Sequence, residues 1–513
     1  MDRGDEGPYD RVKLEASTGD ITAQDGHASS PGNSSVSPSQ PGQHRSRADA
    51  TSSDSDGHDL RGYFETAQWT ADGTTLLTYS STNLISGYIV PSDLLSPKPT
   101  TLPLRPQSLI QLSEPSNVLA GAPYFDLATP WTNQLLLSSK DHPIQLFYLT
   151  PTSTSTSPSP PPASSYPLTK ARAETFLSAT SLIWPSPGTH FIAGTSNLLA
   201  KFDVSRQGAE PVLRIKTIPS ERHLSKGSGV GMRGTVSALG AQPADATTGA
   251  SLVAAGTWTR WVGLYDFAQA GVCVATWSIA AAAREMAASS TTTSDPNPNP
   301  ASISNSNSSL NMDPGAGGDG ITQTIWSPCG RYLLINERKS RGILVYDVRV
   351  TGKLLGYLSQ RDTLTNNNNQ RINCDVFPAQ NGFEVWSGTT DGTVKVWEGV
   401  GGREGPHEPA WAWDAHASTV GSTCVHSSGT VVATCSGAWE FPDEEEDGRA
   451  GSESSSDPGS EDSEYSDDSE SSIEEIPWMR RRNKESSLKI WSIADGQNGD
   501  RAGEREGDRV PLE

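Results

Sequence analysis

The feature that most constrains this chain is the stretch from Phe383 to Glu398, FEVWSGTTDGTVKVWE. Two short runs of alternating apolar and polar residues, EVWSGT and TVKVW, flank the pair Asp391-Gly392. Such alternation on both sides of an Asp-Gly pair is the strongest short-range signal for a β-hairpin. The second run ends on Trp397 and is followed by an acidic residue. The stretch therefore predicts two neighbouring strands joined by a tight turn, with Asp391 and Trp397 in structural positions.

The same succession of an apolar strand, a turn and two further strands recurs along the chain. We count seven such units, which begin near Gln68, Tyr124, Leu182, Thr235, Gln323, Ile372 and Val420. About 330 residues remain once low-complexity stretches are removed, the length of seven WD40 blades at about 40–45 residues each. We therefore predict an all-β fold, a single seven-bladed WD40 β-propeller with disordered tails and long low-complexity loops. The sequence leaves open which unit supplies the strand that closes the ring.

Composition separates the predicted propeller from segments that are too polar to bury a core. The first 58 residues are rich in Ser, Pro, Gly, Asp and Gln, and an acidic insertion divides the last unit. The predicted divisions are a disordered N-terminal tail (1–58), the propeller (59–440) with disordered loops at about 151–167 and 280–320, an acidic disordered insertion (441–486), the final propeller strand (487–493) and a disordered C-terminal tail (494–513).

The formal net charge of −21 is concentrated in one segment. Residues 440–475 contain 16 acidic side chains and one Arg, so the remainder of the chain is close to balance. A balanced propeller can still present a basic face, and the total charge does not exclude a nucleic-acid partner. The five cysteines form no CxxC pair, which favours reduced thiols in an intracellular protein. No apolar run of 18 residues is present, so we expect no membrane span.

The sequence contains no GxSxG or HExxH motif and no paired acidic motif of a hydrolase. We therefore predict that the protein is not an enzyme and has no catalytic residue, metal site or cofactor. His416, in WDAHASTV, precedes the last unit without an accompanying nucleophile or carboxylate pair. We expect it to be structural and to make a buried hydrogen bond with a turn carboxylate or hydroxyl.

Three short clusters combine cations with aromatic or amide side chains at predicted loops and strand ends. They are Trp258-Thr-Arg260-Trp261, Arg338-Lys339-Ser-Arg341 and Gln370-Arg371. Arg beside Trp suits phosphate contacts combined with the stacking of unpaired RNA bases. Ordinary solvated loop charge explains the same residues equally simply, and the residues by themselves leave both interpretations open.

Six stretches also resemble, in the same order, elements of one family. They are DHPIQLF at 141–147, GLY at 263–265, GIT with PCG at 320–330, YDVR at 346–349, NQRI at 369–372 with Asp375, and ATCSG at 433–437 followed by Phe-Pro. Together they resemble the telomerase Cajal body protein family, WD40 proteins that bind small Cajal-body RNAs. The sequence departs from the family pattern at Tyr346, which replaces Trp, at Trp326-Ser327 and at Cys329.

The resemblance implies a non-catalytic scaffold that binds an H/ACA-type guide RNA or telomerase RNA and retains the particle in a Cajal body or similar nuclear body. Ribonucleoprotein proteins are the implied partners of a chain that we expect to be monomeric. Basic residues at 480–482 suit a nuclear import signal. We expect Asp347 and Arg349 to be structural, with Arg349 pairing with a neighbouring turn. The predicted RNA contacts are Lys140, Arg260, Trp261, Arg338, Arg341 and Arg371.

Two other non-enzymatic interpretations remain. Fungal-type relatives of the family are linked to pre-mRNA splicing, so the chain could be a splicing factor associated with small nuclear ribonucleoproteins. It could also be a general WD40 adaptor that grips a peptide at the central channel. A basic channel mouth with exposed aromatics would favour RNA, and an acidic one would favour basic peptides.

Overall fold

Nearly all of the regular secondary structure in the described part of the chain is β-strand in the computed structural model. The structure describes residues 11–21, 62–149, 160–170, 172–218, 232–243, 252–280, 318–360, 369–438 and 485–493. Within them the only helical element is a single 3-10 turn, Pro130–Thr132. None of these residues forms a helix that is long and apolar enough to cross a membrane. The all-β prediction is confirmed.

Thirty strands are found within the described ranges. The first ten are β1 (Val12–Ser17), β2 (Phe64–Trp69), β3 (Thr75–Ser80), β4 (Leu84–Ile89), β5 (Leu102–Pro103), β6 (Ser108–Gln111), β7 (Ser116–Gly121), β8 (Gln134–Ser139), β9 (Ile144–Tyr148) and β10 (Ser164–Tyr166). The next ten are β11 (Ser181–Ile183), β12 (His190–Thr195), β13 (Leu198–Asp203), β14 (Leu213–Lys216), β15 (Val236–Ala241), β16 (Leu252–Thr257), β17 (Trp261–Asp266), β18 (Val272–Ser278), β19 (Ile321–Trp326) and β20 (Tyr332–Glu337). The last ten are β21 (Gly342–Asp347), β22 (Leu354–Ser359), β23 (Cys374–Ala379), β24 (Gly382–Gly388), β25 (Thr393–Val400), β26 (Gly405–His407), β27 (Trp411–Asp414), β28 (Val420–Val425), β29 (Val431–Ser436) and β30 (Leu488–Ile493).

The strands form seven sheets that are the blades of a propeller, as the seven sequence units predict. Each blade has four antiparallel strands, and from the innermost strand outwards they are β2-β3-β4-β6, β7-β8-β9-β10, β11-β12-β13-β14, β15-β16-β17-β18, β19-β20-β21-β22, β23-β24-β25-β27 and β28-β29-β30-β1. Blades 5 and 7 each gain a short fifth strand, because β26 pairs parallel with β22 and β5 pairs parallel with β1.

The ring is closed by β1, the fourth strand of blade 7. It pairs antiparallel with β30, with Val12 opposite Ile493 and Ala16 opposite Ile490. Ala16 is fully buried, and Val12 and Leu14 pack against the tryptophan cluster of blades 6 and 7. The prediction of a disordered tail over 1–58 is therefore wrong for β1. Its six residues alternate correctly for a strand, but they stand alone in polar sequence and their partner lies more than 470 positions away.

Two other predicted boundaries are also too wide. The loop predicted at about 151–167 ends earlier, because Ser164–Tyr166 forms β10. The insertion predicted over 441–486 ends before Glu485, which is bonded within blade 7. The acidic segment up to residue 484, the basic residues 480–482 and the C-terminal tail lie outside the described residues.

Neighbouring blades approach each other closely at small residues. A Cβ on Gly388, at the end of β24, would lie 2.5 Å from the Val420 Cβ and 2.6 Å from the Val420 carbonyl oxygen of blade 7. Only glycine permits this approach of two backbones. Large aromatic side chains fill the space further out. Trp397 is fully buried between blades 5 and 6, and Trp386, Trp413 and Trp491 pack together between blades 6 and 7.

His416 is the centre of a buried hydrogen-bond chain in blade 7. Its Nε2 lies 2.7 Å from the Thr434 Oγ1, which also accepts from the Trp491 indole N–H at 2.9 Å. Its Nδ1 lies 3.0 Å from the Ser487 Oγ, and that hydroxyl donates to Glu485 at 2.6 Å. Every donor has an acceptor if neutral His416 carries its proton on Nδ1. The chain thus joins β29 to β30 across the long insertion, through the kind of contact expected from the sequence.

We expect the contribution of His416 to stability to disappear in acid. Burial lowers the pKa of His416 from 6.5 to about 4. The unfolded chain therefore binds more protons between pH 6.5 and 4, so the folded state loses stability as pH falls through that window. The free energy of unfolding of wild type minus that of His416→Gln should fall by up to about 3 kcal/mol between pH 7 and pH 4.

Urea denaturation of both proteins at each pH measures this difference. Burial raises the pKa of Asp375 to about 6, which acts in the opposite direction. Both proteins contain Asp375, so its effect cancels in the difference. A difference that is constant with pH would contradict the assignment of a neutral, buried His416.

Candidate nucleic-acid interface

The strand order places most of the predicted contact residues on one end of the propeller. The antiparallel strands of a blade alternate in direction. The turn between its second and third strands therefore lies at the same end of the propeller as the connection that enters the next blade. We call this end the upper face and the opposite end the lower face. The upper face carries the β8–β9 turn with Lys140, the β16–β17 turn with Arg260, the β20–β21 turn with Arg338 and Arg341, and the connection to β23 with Arg371.

Two of the three cation clusters meet at the boundary of blades 4 and 5. Gly320, which leads into β19, has φ +138°, and a Cβ there would lie 2.9 Å from the Trp258 carbonyl oxygen. The backbone N–H of Asp319 donates to the Arg338 carbonyl at 2.8 Å. Segments about 80 residues apart in sequence therefore form one surface.

We define the basic cluster as this surface together with its carboxylates. Its members are Arg233, Trp258, Arg260, Asp319, Glu337, Arg338, Lys339 and Arg341. Arg233 is not among the contacts predicted from the sequence. It is exposed, and its carbonyl accepts a hydrogen bond from the Thr259 hydroxyl. Its only signal is its place in the connection to β15. The cluster has five cations and two carboxylates and so carries a net charge of +3.

Trp258 is the exposed aromatic of the basic cluster. Its exposed fraction is 49%, and the Arg338 Cζ lies 5.4 Å from the ring centroid. Arg338 and Lys339 share one carboxylate, since the Asp319 Oδ2 is 3.4 Å from the Arg338 Nη2 and 3.8 Å from the Lys339 Nζ. One negative charge against two cations leaves positive charge beside an open aromatic face, which suits a phosphate next to a stacked base.

Arg260 has a different environment from the one predicted. Its Nε lies 2.6 Å from the Glu337 Oε1 and its Nη2 lies 3.0 Å from the Oε2, a bidentate pair. The Glu337 side chain is only 1% exposed and also accepts from the Gly318 N–H at 3.1 Å. This geometry favours a structural role for Arg260 over an RNA contact, because its guanidinium already holds a buried carboxylate.

The other predicted contacts lie apart from the basic cluster or are less accessible. Trp261 begins β17 and packs, partly buried, against the core of blades 3 and 4. Lys140 is exposed in blade 2, two blades before the cluster. Arg371 lies at the central channel.

The central channel contains a cavity of about 390 Å³ lined by the innermost strands. Glu65 and Arg371 interact there, and both are partly buried. Burial raises the pKa of Glu65, and the positive charge of Arg371 partly offsets this increase. Burial lowers the pKa of Arg371, and the negative charge of Glu65 partly offsets this decrease. The channel wall is therefore neither basic nor acidic. A basic channel mouth would favour RNA and an acidic one would favour basic peptides, so the charge of the channel favours neither ligand.

The stretches that resemble the family lie largely in the scaffold. Gln370 of NQRI donates to the Gly437 carbonyl of ATCSG at 2.7 Å. The carbonyl of Ile372 accepts from the Asn336 side chain at 2.7 Å, which ties blade 5 to blade 6. The Asp375 carboxylate accepts the Val425 N–H at 2.8 Å. These motifs fix how blades 5, 6 and 7 sit against one another.

The pair Asp347 and Arg349 lies on the lower face, at the β21–β22 turn. The Arg349 Nη2 is 2.6 Å from the Asp347 Oδ2, and this hydrogen bond lowers the pKa of Asp347. The expectation that Arg349 pairs with a neighbouring turn is wrong, because its partner is in its own turn. The Arg349 side chain is 58% exposed, so its contribution to stability is small. Asp391 shapes its own turn on the upper face by accepting from the Thr389 hydroxyl and the Thr393 N–H.

Comparison with known proteins adds a distant relationship. No protein-family profile matches the chain. Telomerase Cajal body protein 1 of Bos taurus is 24% identical over 389 residues, which are 75% of this chain and 60% of that protein, and the Homo sapiens protein is 23% identical over 394 residues. Guanine nucleotide-binding protein negative regulator 1 of Schizosaccharomyces pombe is 24% identical over 338 residues, 65% of this chain and 70% of that protein. The chain thus spans about 60% of the length of the telomerase Cajal body proteins it matches. These matches make the chain a distant relative of the telomerase Cajal body protein family.

Proposed function

We propose that this protein is a non-catalytic nuclear scaffold that binds a small RNA on the upper face of its propeller, at the basic cluster. The name of its relatives, telomerase Cajal body protein 1, supports a telomerase or Cajal-body particle as the setting. In this proposal the ligand is an H/ACA-type guide RNA or telomerase RNA. Retention of that particle in a nuclear body would follow from contacts with its proteins.

The observation that carries this proposal is Trp258 beside Arg338. An unpaired base can stack on the open part of the indole ring, while its flanking phosphates meet Arg338, Lys339, Arg341 or Arg233. Double-stranded RNA offers no free base face to a single Trp, so an unpaired loop is the expected element.

We expect Trp258→Ala to weaken RNA binding about tenfold or more, because base stacking on an aromatic contributes about 1–3 kcal/mol. Lys339→Ala should weaken binding to all RNAs and reduce the slope of log affinity against log salt by about 1. Fluorescence anisotropy with a labelled guide-RNA hairpin, recorded at several salt concentrations, measures both effects. Trp131→Ala, which removes an exposed Trp from the lower face, is the matched control.

RNA binding that is unchanged in both variants would refute the basic cluster as the site. Crosslinking and sequencing of RNA bound to the tagged protein in its own cells identifies the ligand. Guide-type or telomerase RNA would support the proposal, whereas spliceosomal RNA recovered only through other proteins would favour the splicing interpretation.

A second candidate is a protein adaptor that regulates a guanine nucleotide-binding protein. The match to the S. pombe regulator supports it, because that match covers 70% of the relative, a larger share than the telomerase Cajal body matches cover. Under this function the protein should co-purify with a guanine nucleotide-binding protein, and the yield should not change in the Lys339→Ala variant.

A further inference from the structure

Three exposed aromatic residues lie close in structure on the lower face of blade 2. Trp131, in the 3-10 turn between β7 and β8, is 71% exposed, and Tyr124 and Tyr148 are each 36% exposed. We call these three residues the aromatic patch. They lie on the opposite end of the propeller from the basic cluster and have no part in the proposed RNA site.

Gln134 holds the aromatic patch together. Its Oε1 accepts from the Tyr124 hydroxyl at 2.8 Å, and its Nε2 lies 3.0 Å from the Tyr148 hydroxyl and 2.9 Å from the Trp131 carbonyl. One amide thus connects all three residues. Such a connection reduces the side-chain freedom that binding would otherwise have to remove.

Blade 3 also fixes the position of Tyr124. Its ring meets the buried Trp184 edge to face, with centroids 5.5 Å apart and planes at 84°. The backbone of Gly188, with φ +91°, lies directly against the same ring. Two Tyr rings are therefore held in place beside the exposed Trp131 ring, the kind of surface on which proteins place binding aromatics.

The aromatic patch offers two hydrogen-bond donors to a ligand. The Tyr148 oxygen accepts from Gln134, so its own O–H remains to donate, and the Gln134 oxygen is already used by Tyr124. The Trp131 indole N–H donates to no residue in the described part of the chain. A ligand with apolar rings and carbonyl acceptors would therefore match this surface.

We propose that the aromatic patch binds a proline-rich segment of a partner protein in the polyproline II conformation. Such a segment has no internal hydrogen bonds, so its carbonyls are free to accept from Tyr148 and Trp131, and proline contributes no backbone N–H. Its rings pack on aromatic faces, and its preformed helix loses little entropy on binding. RNA does not fit, because Tyr124, Trp131, Tyr148 and Gln134 include no cation to meet a phosphate.

The test is a fluorescence anisotropy titration of the full chain into a fluorescein-labelled decaproline peptide. A Gly-Ser peptide of the same length is the control ligand. Trp131→Ala is expected to leave the melting temperature unchanged, since the side chain is 71% exposed, and to weaken decaproline binding about tenfold or more. Trp258→Ala, which removes the exposed Trp of the basic cluster, should leave decaproline binding as in the wild type.

Saturable binding of decaproline, absent for the Gly-Ser peptide and lost only in Trp131→Ala, supports the proposal. Equal binding of both peptides, or equal loss in both Trp variants, would overturn it. Binding that appears only after residues 151–159 are deleted would assign the surface to the Pro-containing run of the chain itself and overturn the proposal of a partner. The RNA titration of the same two variants is independent, so either proposal can fail without the other.

Discussion

Arg260→Ala is expected to lower the free energy of unfolding by about 3 kcal/mol. The substitution leaves Glu337, whose side chain is 1% exposed, as a buried carboxylate without its bidentate partner. Removing one member of a buried ion pair costs about 3–5 kcal/mol, because the remaining charge has lost its water and its partner. We take the lower end of this range because the Arg260 side chain is 22% exposed. Urea denaturation at neutral pH measures the change.

Two variants make this prediction specific. Arg338→Ala removes a cation from the same surface whose carboxylate partner, Asp319, is exposed, and it should change stability by no more than about 0.5 kcal/mol. Arg260→Met combined with Glu337→Leu should recover most of the loss, because no buried charge remains. An unchanged melting temperature with abolished RNA binding in Arg260→Ala would instead restore Arg260 as an RNA contact.

Deletion of residues 1–21 is expected to have the largest effect on the fold. It removes β1, which is hydrogen-bonded to β30 on one side and to β5 on the other. A ladder of about five bonds at about 1 kcal/mol each, together with the buried Ala16, gives a loss on the order of 5 kcal/mol. The loss also leaves β30 as an open sheet edge, which favours aggregation.

Thermal unfolding and size-exclusion chromatography of the truncated protein measure these two effects. Deletion of residues 1–10 alone is the control, since it leaves β1 complete and should preserve the melting temperature. A synthetic peptide of residues 11–21 should restore stability in trans by refilling the outer position of blade 7. A 1–21 deletion that melts like the full chain would show that β1 does not close the ring.

The positions of the blades could be predicted because their signals are local. A hairpin such as the one around Asp391-Gly392 is determined by residues within about ten positions of its turn. The same holds for the turn ahead of β20, where Ser327 and Gly330 shape a local bend. Seven repetitions of such signals are sufficient to predict a closed ring.

The interaction partners of individual charged side chains could not be predicted in the same way. Arg260 and Arg338 both stand in short turns with a Trp within reach, and the sequence assigns them the same role. The structure separates them, because one faces the buried Glu337 of the next blade and the other lies over the exposed Trp258. No pattern within either turn encodes which carboxylate lies opposite. The aromatic patch was missed for a related reason, since Gln134 joins the side chains of Tyr124 and Tyr148, which stand on two different segments.

The sequence by itself determined the number of blades, the strand alternation within them and the resemblance to a distant family. These follow from period-two alternation and turn chemistry, which act between residues close in sequence. Only the tertiary structure decided that β1 closes the ring, that Arg260 is an internal ion-pair partner and that Trp258 and Trp131 are the exposed aromatics of opposite faces. Those outcomes depend on contacts between separate blades or segments of the chain, which no local sequence pattern specifies.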